Sequence, residues 1–229
     1  MATVPPPLDE LRRAVTSDCS PVRPLPPPAR RVFAVAAWAP PAAFLCIAFL
    51  GLRSDAPALG GSLTWGVTVA EVALSLLLAA MALAAAIPGG GAPKEIALAA
   101  LAAAALALAG GAWLTRAASP EWTVPNPWLS MGPTCLALTA LIGLSVLALI
   151  AVLVFRAAPL RPARALLLGG AGAGLMAEGV YRLHCAVTDL RHVLLWHGGA
   201  VTTLALAAFG AAIFLERREG ARMVARRTA

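Results

Sequence analysis

Six long apolar runs constrain this chain more than any other feature. Each carries about the 20 residues that a helix needs to cross the hydrocarbon core of a bilayer. The runs cover residues 32–52, 62–87, 96–114, 134–155, 164–183 and 193–215. Only 13% of residues are charged, about half the ~25% of a soluble domain. No run alternates as a strand would, and helices satisfy their own backbone in lipid. We predict an all-α membrane protein, a six-transmembrane-helix bundle with short cytoplasmic tails.

The basic residues predict the orientation of the bundle. Fourteen of the 18 Lys and Arg residues fall in the segments on one side of it. The other four are Arg53, Arg116, Arg182 and Arg191. Because basic segments stay in the cytoplasm, we expect both termini to be cytoplasmic. Six aromatic residues then fall near the outer interface, where aromatic belts form: Trp65, Trp113, Trp122, Trp128, Trp196 and Tyr181.

The two ends of the chain are predicted to be tails. Prolines interrupt the first residues, where a signal peptide would need a continuous apolar core, so residues 1–31 are interpreted as a cytoplasmic tail. Leu8, Leu11 and Val15 have the spacing of one short amphipathic helix, and a semi-rigid proline-rich spacer follows it. Residues 216–229 form a basic tail, which we expect to be helical for a turn or two.

The sequence lacks the motifs that are typical of several classes of function. The sequence has no phosphate-binding loop, nucleophile elbow or HExxH motif, so we predict neither an enzyme nor a cofactor. Basic residues lie at the ends of apolar runs and not in a patch with aromatics, which argues against direct nucleic-acid binding. A small polytopic transporter or permease is the alternative, although the spans supply few residues for a polar track. An inert membrane scaffold is a third interpretation.

Two cysteines fall at the same predicted depth. Cys135 opens the fourth span and Cys185 closes the fifth, both at the outer end. Such a pair could form a disulfide or bind a soft metal, or the two could be unrelated packing residues. Together with His184 they form a candidate metal-ligand set, although their spacing matches no standard zinc motif.

Two carboxylates and one histidine within the predicted spans are functional candidates, because such groups are costly there. Glu178 has Arg182 one helical turn later, so the two could pair. Glu71 has no basic residue within a turn, so it either faces another helix or is protonated. His197 falls about one turn inside the sixth span, where its ring needs a partner.

Glycines concentrate in the fifth span. Gly170 and Gly174 have the four-residue spacing that lets two helices approach closely. We therefore expect this span to pack tightly. The packing is either ordinary or allows a change at Cys185 to move the helix as a body.

Three short motifs, in their order along the chain, resemble those of a known protein family. The tail LDELRRAVTSDCSPVRPLPPPARR ends in a Pro-Val-Arg-Pro-Leu spacer and further prolines, and Thr-Cys-Leu surrounds Cys135. Leu-His-Cys ends at Cys185, and VLLWHGG follows. The chain resembles, over essentially its whole length, the integral-membrane anti-sigma factors related to the negative regulator of sigma F (NrsF-like). Family members often continue Leu-His-Cys with Pro-Glu. We expect Asp189 to take the place of that acid.

The resemblance implies a function and its residues. An ECF-type sigma factor would be held at the bacterial inner membrane by the cytoplasmic tail, so the partners are a sigma factor and the lipid bilayer. Cys135 and Cys185 would be the sensor pair, and their oxidation or a heavy metal would release the sigma factor. The cysteines could bond within one chain or between protomers. We choose Leu8, Leu11 and Val15 as the sigma-docking face.

Overall fold

The computed structural model describes residues 8–17, 24–119, 131–159 and 162–228, and its regular structure in these ranges is helical. This confirms the all-α prediction. In chain order the helices are α1 (Leu8–Ser17), α2 (Pro28–Ala36), α3 (Ala39–Leu50), α4 (Ala56–Ala85), α5 (Lys94–Ala118), α6 (Gly132–Phe155), α7 (Pro162–Tyr181), α8 (Leu190–His192) and α9 (Gly198–Thr228). A π-helical turn, Val193–His197, joins α8 to α9.

Five helical segments among the described residues are long and apolar enough to cross a membrane, which indicates a membrane protein. They are Pro28–Leu50, Ala56–Ala85, Lys94–Ala118, Gly132–Phe155 and Leu190–Arg218. The fifth predicted run forms α7, which is not among the five. Its glycines, together with Arg164 and Glu178, lower its mean hydropathy. The six-span count therefore stays a prediction, as does the compartment of each terminus.

The first apolar run is broken into two helices. α2 ends at Ala36, and α3 carries Pro40 and Pro41 in its first turn. A proline in a helix interior removes a backbone donor and clashes with the preceding turn, so a continuous helix cannot pass this point. The proline pair thus places a bend at Trp38.

Arg31 belongs to the first helix instead of the predicted tail. α2 begins earlier than expected, at Pro28, and Arg31 is only 2% exposed. Its guanidinium donates to the carbonyl of Leu153 at 2.9 Å and lies 3.5 Å from the carbonyl of Leu83. These carbonyls are near the last residues of α6 and α4, so Arg31 ties the tail-bearing helix to both.

The bundle has two distinct ends. The tail end contains Arg31 and the contact in which the backbone N–H of Ala163 donates to Glu216. The cysteine end contains Cys135 and Cys185. There, the backbone N–H of Arg53 donates to the Leu183 carbonyl at 2.7 Å. Both α2 and the C-terminal part of α9 therefore approach the tail end.

Helix α7 forms the centre of the bundle and packs against α4, α6 and α9. Every residue from 168 to 183 is buried. A Cβ atom added at Gly170 would lie 2.8 Å from the Cα of Ala205, and one at Gly174 would lie 2.7 Å from the Cα of Val201. The close approach predicted from these glycines is confirmed, and the partner is α9.

Two other sequence expectations change. The prediction that Tyr181 belongs to an aromatic belt is wrong, because Tyr181 is 2% exposed and packs beside the cysteines. Trp65 and Trp113 are exposed, as a belt requires. Trp122 and Trp128 lie outside the described residues, as does most of their loop.

Both tails contain helices. The predicted short helix is confirmed as α1, and its Leu8 is 83% exposed. The side chains of Leu11 and Val15 lie outside the described part of the structure, although their backbone is in α1. At the other end α9 continues to Thr228, so the expected turn or two in residues 216–229 is instead a direct extension of the last helix.

We expect Gly174→Ala to lower the free energy of unfolding by about 1–3 kcal/mol, because the added methyl group would overlap the backbone of α9. Gly210→Ala is the matched control, since no atom outside its own helix backbone lies within 4 Å of the added Cβ. Alanine there should be neutral or stabilise the helix by up to about 1 kcal/mol. Thermal unfolding in detergent measures the stability of both variants. Equal melting temperatures for the two variants would contradict the close packing of α7 on α9.

Candidate functional site

Four potential metal ligands converge at the cysteine end. They are Cys135, Cys185, His192 and His197, all buried, and one ligand atom of each lies within 4.8 Å of those of the other three. The Sγ of Cys185 is 3.9 Å from the Nε2 of His192, and the two imidazole ring centroids are 5.3 Å apart. We name these four residues the Cys2His2 cluster. The two sequence-predicted cysteines are thus brought together, with free thiols.

Helix ends and a buried arginine position the two cysteines. Cys135 lies in the first turn of α6, and Cys185 follows α7, where its N–H donates to the carbonyl of Tyr181 at 3.1 Å. The Tyr181 hydroxyl is 3.7 Å from the Cys135 sulfur. Arg53, in the loop after α3, pairs with Asp55 at 2.6 Å and binds the backbone of the segment between α7 and Cys185. Three separate segments therefore hold the thiols in place.

The π-helical turn brings His192 and His197 to the same site. In an α-helix, residues five apart point about 140° away from each other. A π turn bonds residues five apart and so places them on one face. Asp189 fixes the start of this element, because its carboxylate accepts the backbone N–H groups of Arg191 at 2.9 Å and His192 at 3.2 Å. The acid expected at Asp189 thus acts as a helix cap.

A chain of buried charges continues from the cluster into the bundle. Arg182 lies 3.0 Å from Glu71 and 3.2 Å from Glu178, and the Nδ1 of His197 is 2.5 Å from Glu178. We name these four residues the buried charge chain. The predicted pairing of Glu178 with Arg182 is confirmed. Of the two alternatives for Glu71, the one in which it faces another helix agrees with the structure. The partner expected for His197 is Glu178.

The hydrogen bond to Glu178 assigns the tautomer of His197. Glu178 also pairs with Arg182 and is therefore ionised, so it accepts and His197 Nδ1 donates. In the neutral ring, Nε2 then carries a lone pair. This Nε2 is buried and has no hydrogen-bond partner among the described residues. His197 thus has one nitrogen fixed by the charge chain and one available to the cluster.

His184 lies outside the Cys2His2 cluster. Its Nδ1 is 3.1 Å from the carbonyl of Gly51, and its side chain is half-buried. The structure therefore groups His192 and His197, and not His184, with the two cysteines. Sequence reasoning missed His192, because nothing in its spacing reveals a π turn.

A cavity of about 190 Å³ reaches both cysteines. Its lining includes Ser54, Met131, Cys135, Tyr181, His184 and Cys185. Its volume is large enough to hold a small oxidant or an ion beside the thiols. A hydrogen bond to Cys135, together with burial, raises the pKa of the Cys185 thiol well above its ordinary value.

A third thiol lies close by without joining the cluster. Cys46 of α3 packs in the same apolar group as Cys135, Cys185 and Tyr181. It is not among the four residues whose ligand atoms converge. Cys46 therefore offers a matched control for experiments on the other two cysteines.

We expect Arg182→Ala to cost about 3–5 kcal/mol of stability, because it leaves two buried carboxylates without their cation. Arg116→Ala is the control. Arg116 pairs with Asp189 at 3.4 Å, but its side chain is 52% exposed, and exposed pairs contribute about 0–1 kcal/mol. Unfolding in detergent should separate the two variants clearly. A similar small loss for both would show that the buried charge chain does not hold the bundle.

Comparison with known protein families identifies a relationship for this chain. The sequence profile described as negative regulator of sigma F matches residues 15–216, which is most of the chain. No curated protein and no solved structure matches the chain significantly. The matched region contains all four residues of the Cys2His2 cluster and the whole buried charge chain. The chain belongs to the family of negative regulators of sigma F.

Proposed function

We propose that this chain is a membrane-bound anti-sigma factor that sequesters an ECF-type sigma factor through its N-terminal tail. Oxidation of Cys135 and Cys185, or their binding of a heavy metal, releases the sigma factor. The family match indicates negative regulation of a sigma factor. The observation that supports the sensing step is the convergence of two thiols from different segments in one buried site that a cavity reaches.

The oxidation step is chemically simple. The two sulfur atoms are at most 4.8 Å apart, and a disulfide requires about 2.05 Å. With hydrogen peroxide as the oxidant, the two thiols give up two protons and two electrons, one S–S bond forms, and two water molecules result. The start of α6 and the segment after α7 must then approach each other.

Transmission to the tail uses the packing of α7. Cys185 lies four residues beyond the end of α7, which is wedged against α4, α6 and α9. Packed helices shift as bodies between discrete arrangements. At the tail end, Arg31 binds carbonyls near the ends of α4 and α6. A shift of α7 against these helices therefore reaches the helix that carries the tail.

The free energy available at the two thiols sets how far the population can shift. Moving a population from 1:99 to 99:1 needs a differential of about 5.5 kcal/mol. A disulfide contributes about 2–4 kcal/mol, which is less than this and produces only a partial shift, whereas metal–thiolate binding contributes more. Most of that free energy must therefore reach the tail, and a rigid, glycine-packed α7 favours such efficient coupling.

The placement of charges favours a regulator over a transporter. Among the described residues, the charged side chains buried at the cysteine end pair with one another, as in Arg53 with Asp55 and Arg182 with Glu71. A transporter would need such groups along a passage. The regulator acts in the inner membrane with both termini in the cytoplasm, which places α1 on the side where a sigma factor is found.

The docking face is tested with variants of α1. We expect Leu11→Ala to weaken sigma binding about tenfold or more, since a buried anchor at an interface contributes more than about 1 kcal/mol. Glu10→Ala, one residue earlier and on another face of α1, is the control. Co-purification of the sigma factor with membranes measures sigma binding by both variants. Deletion of residues 1–20 should free the sigma factor completely, and retained repression would exclude the tail as the docking element.

The sensor pair is tested with three cysteine variants. Cys135→Ser and Cys185→Ser should still hold the sigma factor at the membrane, but peroxide or a heavy metal should no longer release it. Cys46→Ser, a buried thiol outside the cluster, should behave like the unmodified protein. Membrane fractionation with and without oxidant gives the result. A response that survives in both sensor variants would rule out thiol sensing at this site.

A further inference from the structure

We propose that the Cys2His2 cluster is a four-coordinate site for one divalent ion of the zinc class. The inference deepens the proposed function, on which its regulatory meaning rests, by naming the ion and its complete ligand set. The ligands are Cys135, Cys185, His192 and His197. Binding of the ion displaces one proton from each thiol, so a divalent ion and two thiolates give a neutral complex.

The spacing of the ligand atoms suits a tetrahedral ion. Zinc binds thiolate and imidazole at about 2.0–2.3 Å, which places neighbouring ligand atoms about 3.3–3.8 Å apart. All four ligand atoms of the cluster lie within 4.8 Å of one another, and the pair Cys185 Sγ and His192 Nε2 is at 3.9 Å. A contraction of about 1 Å would therefore complete the coordination shell.

The donor types select the class of ion. Two thiolates and two imidazoles suit a borderline-soft ion, whereas magnesium and calcium require oxygen ligands. The cluster borders an apolar group that contains Val180 and Tyr181. An apolar site disfavours net charge, which the neutral complex avoids. Four protein ligands also leave no open position for a substrate, as in structural and sensing sites.

The residues behind the cluster provide independent support. Metal-bound histidines commonly donate their second nitrogen to a carboxylate, which orients the ring. His197 does this through its Nδ1 to Glu178, which Arg182 anchors in turn. The remaining Nε2 is a buried polar atom with no hydrogen-bond partner among the described residues. Coordination of an ion would satisfy that nitrogen.

Cobalt binding to the full-length chain tests the proposal. The chain, purified in detergent with a phosphine reductant and freed of metal with a chelator, is titrated with Co²⁺. We expect one ion per chain, the visible bands of tetrahedral cobalt, and a thiolate-to-cobalt charge-transfer band. One equivalent of Zn²⁺ should remove all of these signals. A wild-type chain that binds no cobalt, or binds it octahedrally, would overturn the proposal.

Variants assign the ligands. Cys135→Ser and His192→Ala should lose the tetrahedral spectrum, and Glu178→Gln should keep the spectrum but weaken affinity about 10- to 100-fold. His184→Ala is the control and should bind normally, because this ring contacts Gly51 and not the cluster.

His197→Ala completes the set but also removes a partner of Glu178. His192→Ala therefore carries the test if the His197 variant does not fold. Unchanged cobalt spectra in the histidine variants would overturn the four-ligand site. That result would leave sigma release by the two cysteines untouched, since membrane fractionation measures release separately.

Discussion

The guanidinium of Arg182 is the charge on which the cysteine end of this bundle depends. It lies between two buried carboxylates, Glu71 of α4 and Glu178 of α7, at 3.0 and 3.2 Å. Each of these ions alone would cost several kcal/mol to bury. Their mutual attraction is directional, because the planar fork of an arginine accepts carboxylates only in certain positions. The contact therefore fixes the depth and the rotation of α7 against α4.

Glycines make this electrostatic contact possible. A Cβ atom added at Gly179 would lie 3.3 Å from the Cβ of Glu71, and one at Gly111 would lie 3.3 Å from the Arg182 guanidinium. Larger residues would hold the backbones apart and leave the charges too distant to pair. The composition of α7, low in hydropathy and high in glycine, thus follows from its position at the centre of the bundle. It packs against helices and needs little apolar surface for lipid.

Local patterns in the sequence predicted much of this structure. The apolar runs predicted the long helices, the i, i+4 spacing predicted the pairing of Glu178 with Arg182, and the glycine spacing predicted a close helix contact. Such local patterns could not predict contacts between residues that are distant in sequence. Glu71 is 111 residues from Arg182, and no periodicity connects them. The predicted set of metal ligands omitted both His192 and His197, because the π turn that brings the two rings together has no signature in the sequence.

His197 belongs to both the Cys2His2 cluster and the buried charge chain. A displacement of its ring therefore affects both groups. One of its nitrogens is fixed by Glu178, and the other is available to the thiols. A change at the thiols that displaces this ring must therefore stretch the bond to Glu178 or carry α7 with it. Stretching would weaken a charge-assisted hydrogen bond in a medium of low dielectric, where such bonds are strongest. In the proposed sensing mechanism, movement of α7 as a body is the response that carries the change toward the tail end.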